Sequence, residues 1–279
     1  MIRLHRMAAL ALALGAVQGV ALAAIAPEAA QDLARKSGLW TQLDSLLPQV
    51  RAGIDAGMQR TAGQVSPAQR TRMLDCAQSA FVGESLQATA LDAIVGTLQP
   101  QDVAPLEAWY DSPLGRKIAT IEATSSVQTP DPQERLRRGT EALGGASEGR
   151  RASLKAIIVE THSVDLMADT LMGMALAVQQ GLASADPAAS GTSLAELKSN
   201  MGSRRPQLVA HFSQISVPAY AFTYLALSDD ELKQYADYLG TPAAMSFSDG
   251  TMRGVSRALT AGSVAMGKCL KATDAPKAP

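Results

Sequence analysis

The strongest constraint on this chain is the period of its apolar residues. They recur at spacings of three and four, while stretches that alternate β-branched and polar side chains are nearly absent. Ala, Leu, Gln, Glu, Met and Arg are plentiful, and these residues give up little conformational freedom on entering a helix. The pattern predicts an all-α fold in which each helix buries one stripe and the helices pack as a bundle. Between Val164 and Leu182, the residues Leu171, Ala175, Val178 and Leu182, with Val164, Met167 and Met174 beside them, predict a helix with a core-facing stripe. Ser66-Pro67-Ala68-Gln69 predicts a helix start, because it offers a hydroxyl cap, a proline at the first helical position and a Gln placed to close a capping box.

The N-terminus reads differently. Arg3, His5 and Arg6 precede an unbroken small and apolar run from Met7 to Ala23, which ends Ala21-Leu22-Ala23. A basic head, an apolar stretch and small residues at the last and third-last positions predict a signal peptide over residues 1–23, cut after Ala23, and hence a periplasmic or secreted protein. No cysteine follows the run, which argues against lipid anchoring. The nearest later approach to a membrane-length apolar stretch, Ala156 to Leu182, is broken by Glu160, His162, Asp165 and Asp169, so no integral span is expected after cleavage. Loss of Arg3 and Arg6 takes the formal net charge from −1 to −3, which gives no electrostatic basis for binding nucleic acid. An oxidising compartment allows Cys76 and Cys269 to pair as a disulfide; the alternative is that both serve as small apolar helix residues.

Leu98 to Gly115 aligns with Leu227 to Ala244 at a constant offset of 129 residues, without a gap. Asp102 meets Glu231, Trp109 meets Tyr238, Ser112 meets Thr241 and Pro113 meets Pro242. Each pair has a helical role: an acid in the first turn, a large ring near the far end, then a hydroxyl cap and a proline that restart the chain. The predicted unit is a helix, a tight corner and a second helix. Similar layouts precede both copies: an apolar helix (Trp40 to Met58, Val164 to Leu182), a polar break, then a helix ending in Phe81 or Phe212. The expected organisation is two diverged helical repeats, over residues 24–123 and 151–271, joined by a linker with a short helix over 124–150 and followed by a frayed tail over 272–279.

The corner Trp109-Tyr110-Asp111-Ser112-Pro113-Leu114-Gly115-Arg116-Lys117 resembles the aromatic-Tyr-x-Ser/Thr-Pro-x-Gly-basic corner of the domain of unknown function 2059 family of exported bacterial proteins. The resemblance implies an all-helical domain in the envelope or outside the cell, and no particular activity. The second copy keeps Tyr238, Thr241 and Pro242 but carries Leu239, Ala244 and Met245 where the pattern has Tyr, Gly and a base.

Candidate chemistry is sparse. His162, Asp165 and Asp169 lie at i, i+3 and i+7, a weak metal-binding pattern better explained as a polar helix face. Met172 and Met174 point about 200° apart around a helix, so they do not share one ion, and Met167 and Met174 fit an apolar stripe. Arg135, Arg137, Arg138, Arg150 and Arg151 stand among acids and read as a solvated segment. Neither a phosphate-binding loop nor a nucleophile elbow is present. These observations predict a non-enzymatic binding or structural protein without a cofactor, whose partner is an apolar ligand or an envelope protein. A hydrolase assembled from scattered groups such as His211, Ser213 and Asp237 is the alternative.

Overall fold

The computed structural model describes residues 25–45, 47–48, 50–52, 54–55, 66–129, 131–185 and 194–274. The signal-peptide reading, the polar break after Met58 and most of the one after Ser184 concern residues outside these. Regular structure among the described residues is entirely helical. The chain enters through α1 (Pro27–Lys36) and α2 (Leu39–Asp44), then runs through α3 (Pro67–Ala80), α4 (Gly83–Val95), α5 (Pro100–Tyr110) and α6 (Pro113–Gln128). The second half contains α7 (Pro132–Gly144), α8 (Glu148–Glu160), α9 (Ser163–Ala185), α10 (Leu194–Thr223), α11 (Asp229–Leu239) and α12 (Pro242–Asp274).

Local chemistry explains many of the starts. Ser66 and Gln69 form the capping box expected of them, and Ser228 does the same with Glu231. Asp102 closes a box of another kind, accepting from the backbone amide of Gln99 at 2.9 Å. Ser112 accepts from the amide of Gly115 at 2.9 Å, with Pro113 in the first turn of α6.

The hub of the bundle is α12, 33 residues long and thus about 50 Å, which packs against α3, α4, α5, α9 and α11. Small residues every fourth position let it approach α4 closely. A methyl group placed on Gly254 would lie 2.7 Å from the Ala90 Cα; one on Gly250 would lie 3.2 Å from the Ile94 Cα; one on Gly262 would strike the Phe81 ring at 2.7 Å. Ala258, between them in the series, is fully buried. Cys76 in α3 is bonded to Cys269 in α12, tying segments 193 residues apart.

Two apolar clusters form. The first gathers Leu33, Leu39, Leu43, Phe81, Leu86, Ile94, Leu98 and Leu106 with Phe247, Leu259 and Met266 from α12. The second gathers Ile118, Leu154, Ile157, Leu227, Leu232 and Leu239 around Tyr224 and Tyr235. Each cluster draws on both halves of the chain, so packing cuts across residues 124–150. Within that segment α6 runs on to Gln128, and α7 lies against α10 where Gly139 meets the Pro218 carbonyl.

Four local expectations need correction. Leu171 is 48% exposed and Ala175 is exposed, whereas Ala168 and Ala177 are buried and Met174 packs on the first cluster; Val178 and Leu182 have side chains outside the described set. Here α9 runs along α12, and the buried face is the one that includes Ala168 and Ala177, which bulk and hydropathy alone misplaced. Second, no helix ends at Phe212, because α10 continues for 30 residues to Thr223 with Pro206 and Pro218 inside it. Third, the last helix continues to Asp274, beyond the tail boundary at residue 272. Fourth, the arginines of 135–151 divide: Arg137, Arg138 and Arg151 are exposed as expected, whereas Arg150 is 13% exposed and donates to the carbonyls of Leu227 and Tyr224, at 2.9 and 2.7 Å, stapling α8 to the α10–α11 turn. Arg138 lies over the Phe222 ring, and Arg151 donates to the carbonyl of Leu143.

Candidate functional site

The two corners singled out by the sequence meet face to face. Trp109, at the end of α5, stacks on Tyr238, at the end of α11, with centroids 3.9 Å apart and planes 7° from parallel. Tyr110 meets Tyr238 and Phe247 edge-on. The hydroxyl–proline restarts of α6 and α12 follow at once, but they are not equal. Gly115 sits so close to the Trp109 carbonyl that a Cβ would lie 2.1 Å from it, whereas Ala244 occupies the matching place and its amide reaches Thr241 Oγ1 at 3.4 Å. Arg116 donates to the Asp111 carbonyl, and Lys117 reaches both oxygens of Glu231 at 2.8 Å, bridging α6 to the start of α11. An apolar groove of about 850 Å³, lined by Pro105, Trp109, Pro113, Tyr238 and Pro242, lies between the corners.

Beyond the Trp109–Tyr238 stack the clusters leave a cavity of about 570 Å³. Leu39, Leu43 and Phe247 of the first cluster and Tyr224, Tyr235 and Leu239 of the second line it, so it lies at their junction. The chain has five tyrosines, and all of them, Tyr110, Tyr220, Tyr224, Tyr235 and Tyr238, are on its wall. Helical spacing positions them: Tyr224, the residue just past α10, lies one turn beyond Tyr220, its amide donating to the Tyr220 carbonyl, and Tyr235 and Tyr238 share a face of α11. Tyr224 packs edge-on against both Tyr220 and Tyr235.

At the centre of these rings is Glu122 of α6. It follows Ile118, a buried residue of the second cluster, by one helical turn, which places a carboxyl on a core-facing stripe. Tyr224 and Tyr235 each donate to the same oxygen, Oε1, at 2.6 Å. Oε2 has no partner among the described residues. Burial pushes the Glu122 pKa above the usual carboxylate range, and the two phenol bonds only partly offset this. Burial likewise raises the pKa of Tyr110, Tyr220, Tyr224 and Tyr235, which stay protonated. The Tyr238 hydroxyl and Thr251 Oγ1, both on the cavity wall, are buried without a hydrogen-bond partner. Among the described residues no Lys, Arg or His lines the cavity.

The sequence candidates fall elsewhere. Asp165 and Asp169 are both engaged by Arg205, at 2.7 Å each, and His162 is exposed at the α8–α9 turn with a positive φ. Met167 is 40% exposed at the cavity edge. His211 and Ser213 are exposed on α10, with the Ser213 hydroxyl donating to the Val209 carbonyl, while Asp237 is exposed on α11 and pairs with Lys233. No hydrogen bond joins these three. Sequence reasoning passed over Glu122 and the tyrosines of α10, although an acid on an apolar stripe and tyrosines at i, i+4 and i, i+3 were the available signals. Among the described residues no helix is long and apolar enough to cross a membrane, and no group of three metal-ligating side chains occurs.

The chain matches no protein-family model, no curated protein and no solved structure.

Proposed function

We propose that this is an exported, non-enzymatic binding protein whose central cavity takes a ligand with an apolar body and a polar group. One observation carries the reading: a 570 Å³ cavity at the junction of two apolar clusters, with the single carboxyl Glu122 held by two tyrosine hydroxyls on its wall. The volume suits a medium-sized organic molecule, and apolar walls with a few fixed polar groups are the usual make-up of such sites. A carboxyl partly withdrawn from water among apolar helices lowers stability unless something is gained from it, which favours a functional role over a packing one. Export is supported by the N-terminal sequence and by the Cys76–Cys269 bond, since disulfides persist in oxidising compartments.

The cavity's architecture also supports descent from two diverged helical repeats. The helices α5 and α11 are both 11 residues long, and the starts of α5 and α6 are separated from those of α11 and α12 by the same 129 residues. The stacked rings Trp109 and Tyr238 are matching positions of the two units. On this view the repeats supply the frame, and the acid is particular to the first unit, since Glu122 corresponds to Thr251.

Native mass spectrometry of protein purified from its own host tests the reading. A retained adduct of small organic mass, lost on unfolding, is the expected result. A bare chain, together with no shift in thermal unfolding when host metabolite extract is added, would overturn it.

A further inference from the structure

The polar groups of the cavity are unbalanced in sign. Both phenol donors that reach Glu122 converge on Oε1, leaving Oε2 free, and no cationic side chain among the described residues lines the wall. Two more oxygens on that wall, Tyr238 Oη and Thr251 Oγ1, are buried with unused hydrogen-bonding capacity. Six aromatic rings, the five tyrosines and Phe247, complete the surroundings, and the electron-rich faces of such rings attract positive charge. An anionic ligand would meet no counter-charge here and would stand against a carboxyl. A ligand bearing N–H groups and a positive charge would satisfy the acid and the spare oxygens together.

We infer that the cavity takes a protonated amine carried on an apolar body, its ammonium group bonded to Glu122 Oε2 and its body lying among Leu39, Leu43 and Phe247. This rests on the reading of the cavity as a ligand site. The titratable groups facing Glu122 are Tyr110 from α5, Tyr220 and Tyr224 from α10, and Tyr235 and Tyr238 from α11, all phenols that remain neutral. Glu122 is therefore the one group among them that ionises below the phenol range, and burial moves that ionisation upward. Burial favours its neutral form in the empty cavity, and a bound ammonium favours the carboxylate. At any pH where Glu122 is protonated in the empty cavity, binding releases its proton to solvent, and affinity rises with pH through that titration.

The experiment is calorimetric titration of the purified, oxidised protein with three probes of one chain length: hexylammonium, hexan-1-ol and hexanoate. Saturable 1:1 binding of hexylammonium, tighter than the alcohol by about tenfold or more, with hexanoate weakest, is expected. Glu122→Gln should abolish that preference and leave the alcohol unchanged. If the alcohol or hexanoate binds as tightly as hexylammonium, or if Glu122→Gln keeps the preference, the amine assignment is overturned while the ligand site stands. If none of the three saturates, the ligand site itself falls. Should Glu122→Gln fail to fold, a pH series on the unaltered protein decides: hexylammonium affinity must rise with pH while that of the alcohol stays flat, and a flat response for both overturns the assignment.

Discussion

Breaking the Cys76–Cys269 bond is the perturbation whose size follows most directly from the structure. The bond closes a loop of 193 residues and joins α3 to the far end of α12. In the chain-entropy account, a cross-link stabilises by removing configurations from the unfolded chain, and a loop of this length corresponds to about 5 kcal/mol at 25 °C. Measured effects usually fall lower, so the expected loss on reduction is about 3–5 kcal/mol. For a domain of this size that is a fall in melting temperature of roughly 6–20 °C. Urea unfolding followed by circular dichroism, with and without a phosphine reductant, reads the loss as a midpoint shift. The urea dependence should also steepen on reduction, because the opened unfolded chain exposes more surface. Cys76 is only 1% exposed, so the comparison variant is Cys76→Ala/Cys269→Ala, and its midpoint should match that of the reduced protein to within about 1 kcal/mol. Equal midpoints for oxidised and fully reduced protein would refute the reasoning. So would two free thiols in protein taken from an oxidising compartment.

Three further outcomes are expected. Because burial raises the pKa of Glu122, its contribution to stability is complete below the unfolded carboxylate value and is lost as pH rises through the folded value. Glu122→Gln should remove that decline, so the difference in urea midpoint between the two proteins must shift in favour of the variant as pH rises from about 4; parallel profiles would sink the raised pKa of Glu122. Gly254→Ala should destabilise by about 1–3 kcal/mol, because its methyl meets the α4 backbone. Gly202→Ala, in open space on α10, should stabilise by about 0.5–1 kcal/mol, and the opposite signs are the test. Arg150→Met should cost about 1–3 kcal/mol in chemical unfolding by leaving the Leu227 carbonyl without its Arg150 donor and the Tyr224 carbonyl with the Leu227 amide alone; Arg150→Lys should recover little, since one ammonium cannot reproduce the fork.

Much of the fold was legible where the cause is local. A hydroxyl cap, a proline and an acid act on amides within one turn, so the starts at Ser66, Ser112 and Ser228 could be read without knowing what the helices touch. The stripe Gly250, Gly254, Ala258 and Gly262 was equally visible as a four-residue period, but only the position of α4 gives it meaning. The failures have a common origin. Leu171 was assigned to the core for its hydrophobicity, and Arg150 to solvent for its charge, yet burial depends on the neighbour that arrives. Packed along α12, α9 buries Ala168 and Ala177 and leaves Leu171 out, and the α10–α11 turn presents carbonyls to Arg150.

The candidate site marks the same division. The sequence by itself determined that the chain is helical, and that hydroxyl–proline restarts follow α5 and α11 just after Trp109 and Tyr238, because helix periodicity and caps are written within a few residues. Only the tertiary structure decided that those rings stack on each other, that Cys76 reaches Cys269, and that five tyrosines from three helices close around one carboxyl. Contacts between residues more than a hundred positions apart, such as Glu122 with Tyr224 and Tyr235, depend on how whole helices cross. Helix crossing is settled by the summed packing of many side chains, and no short stretch of sequence contains that sum.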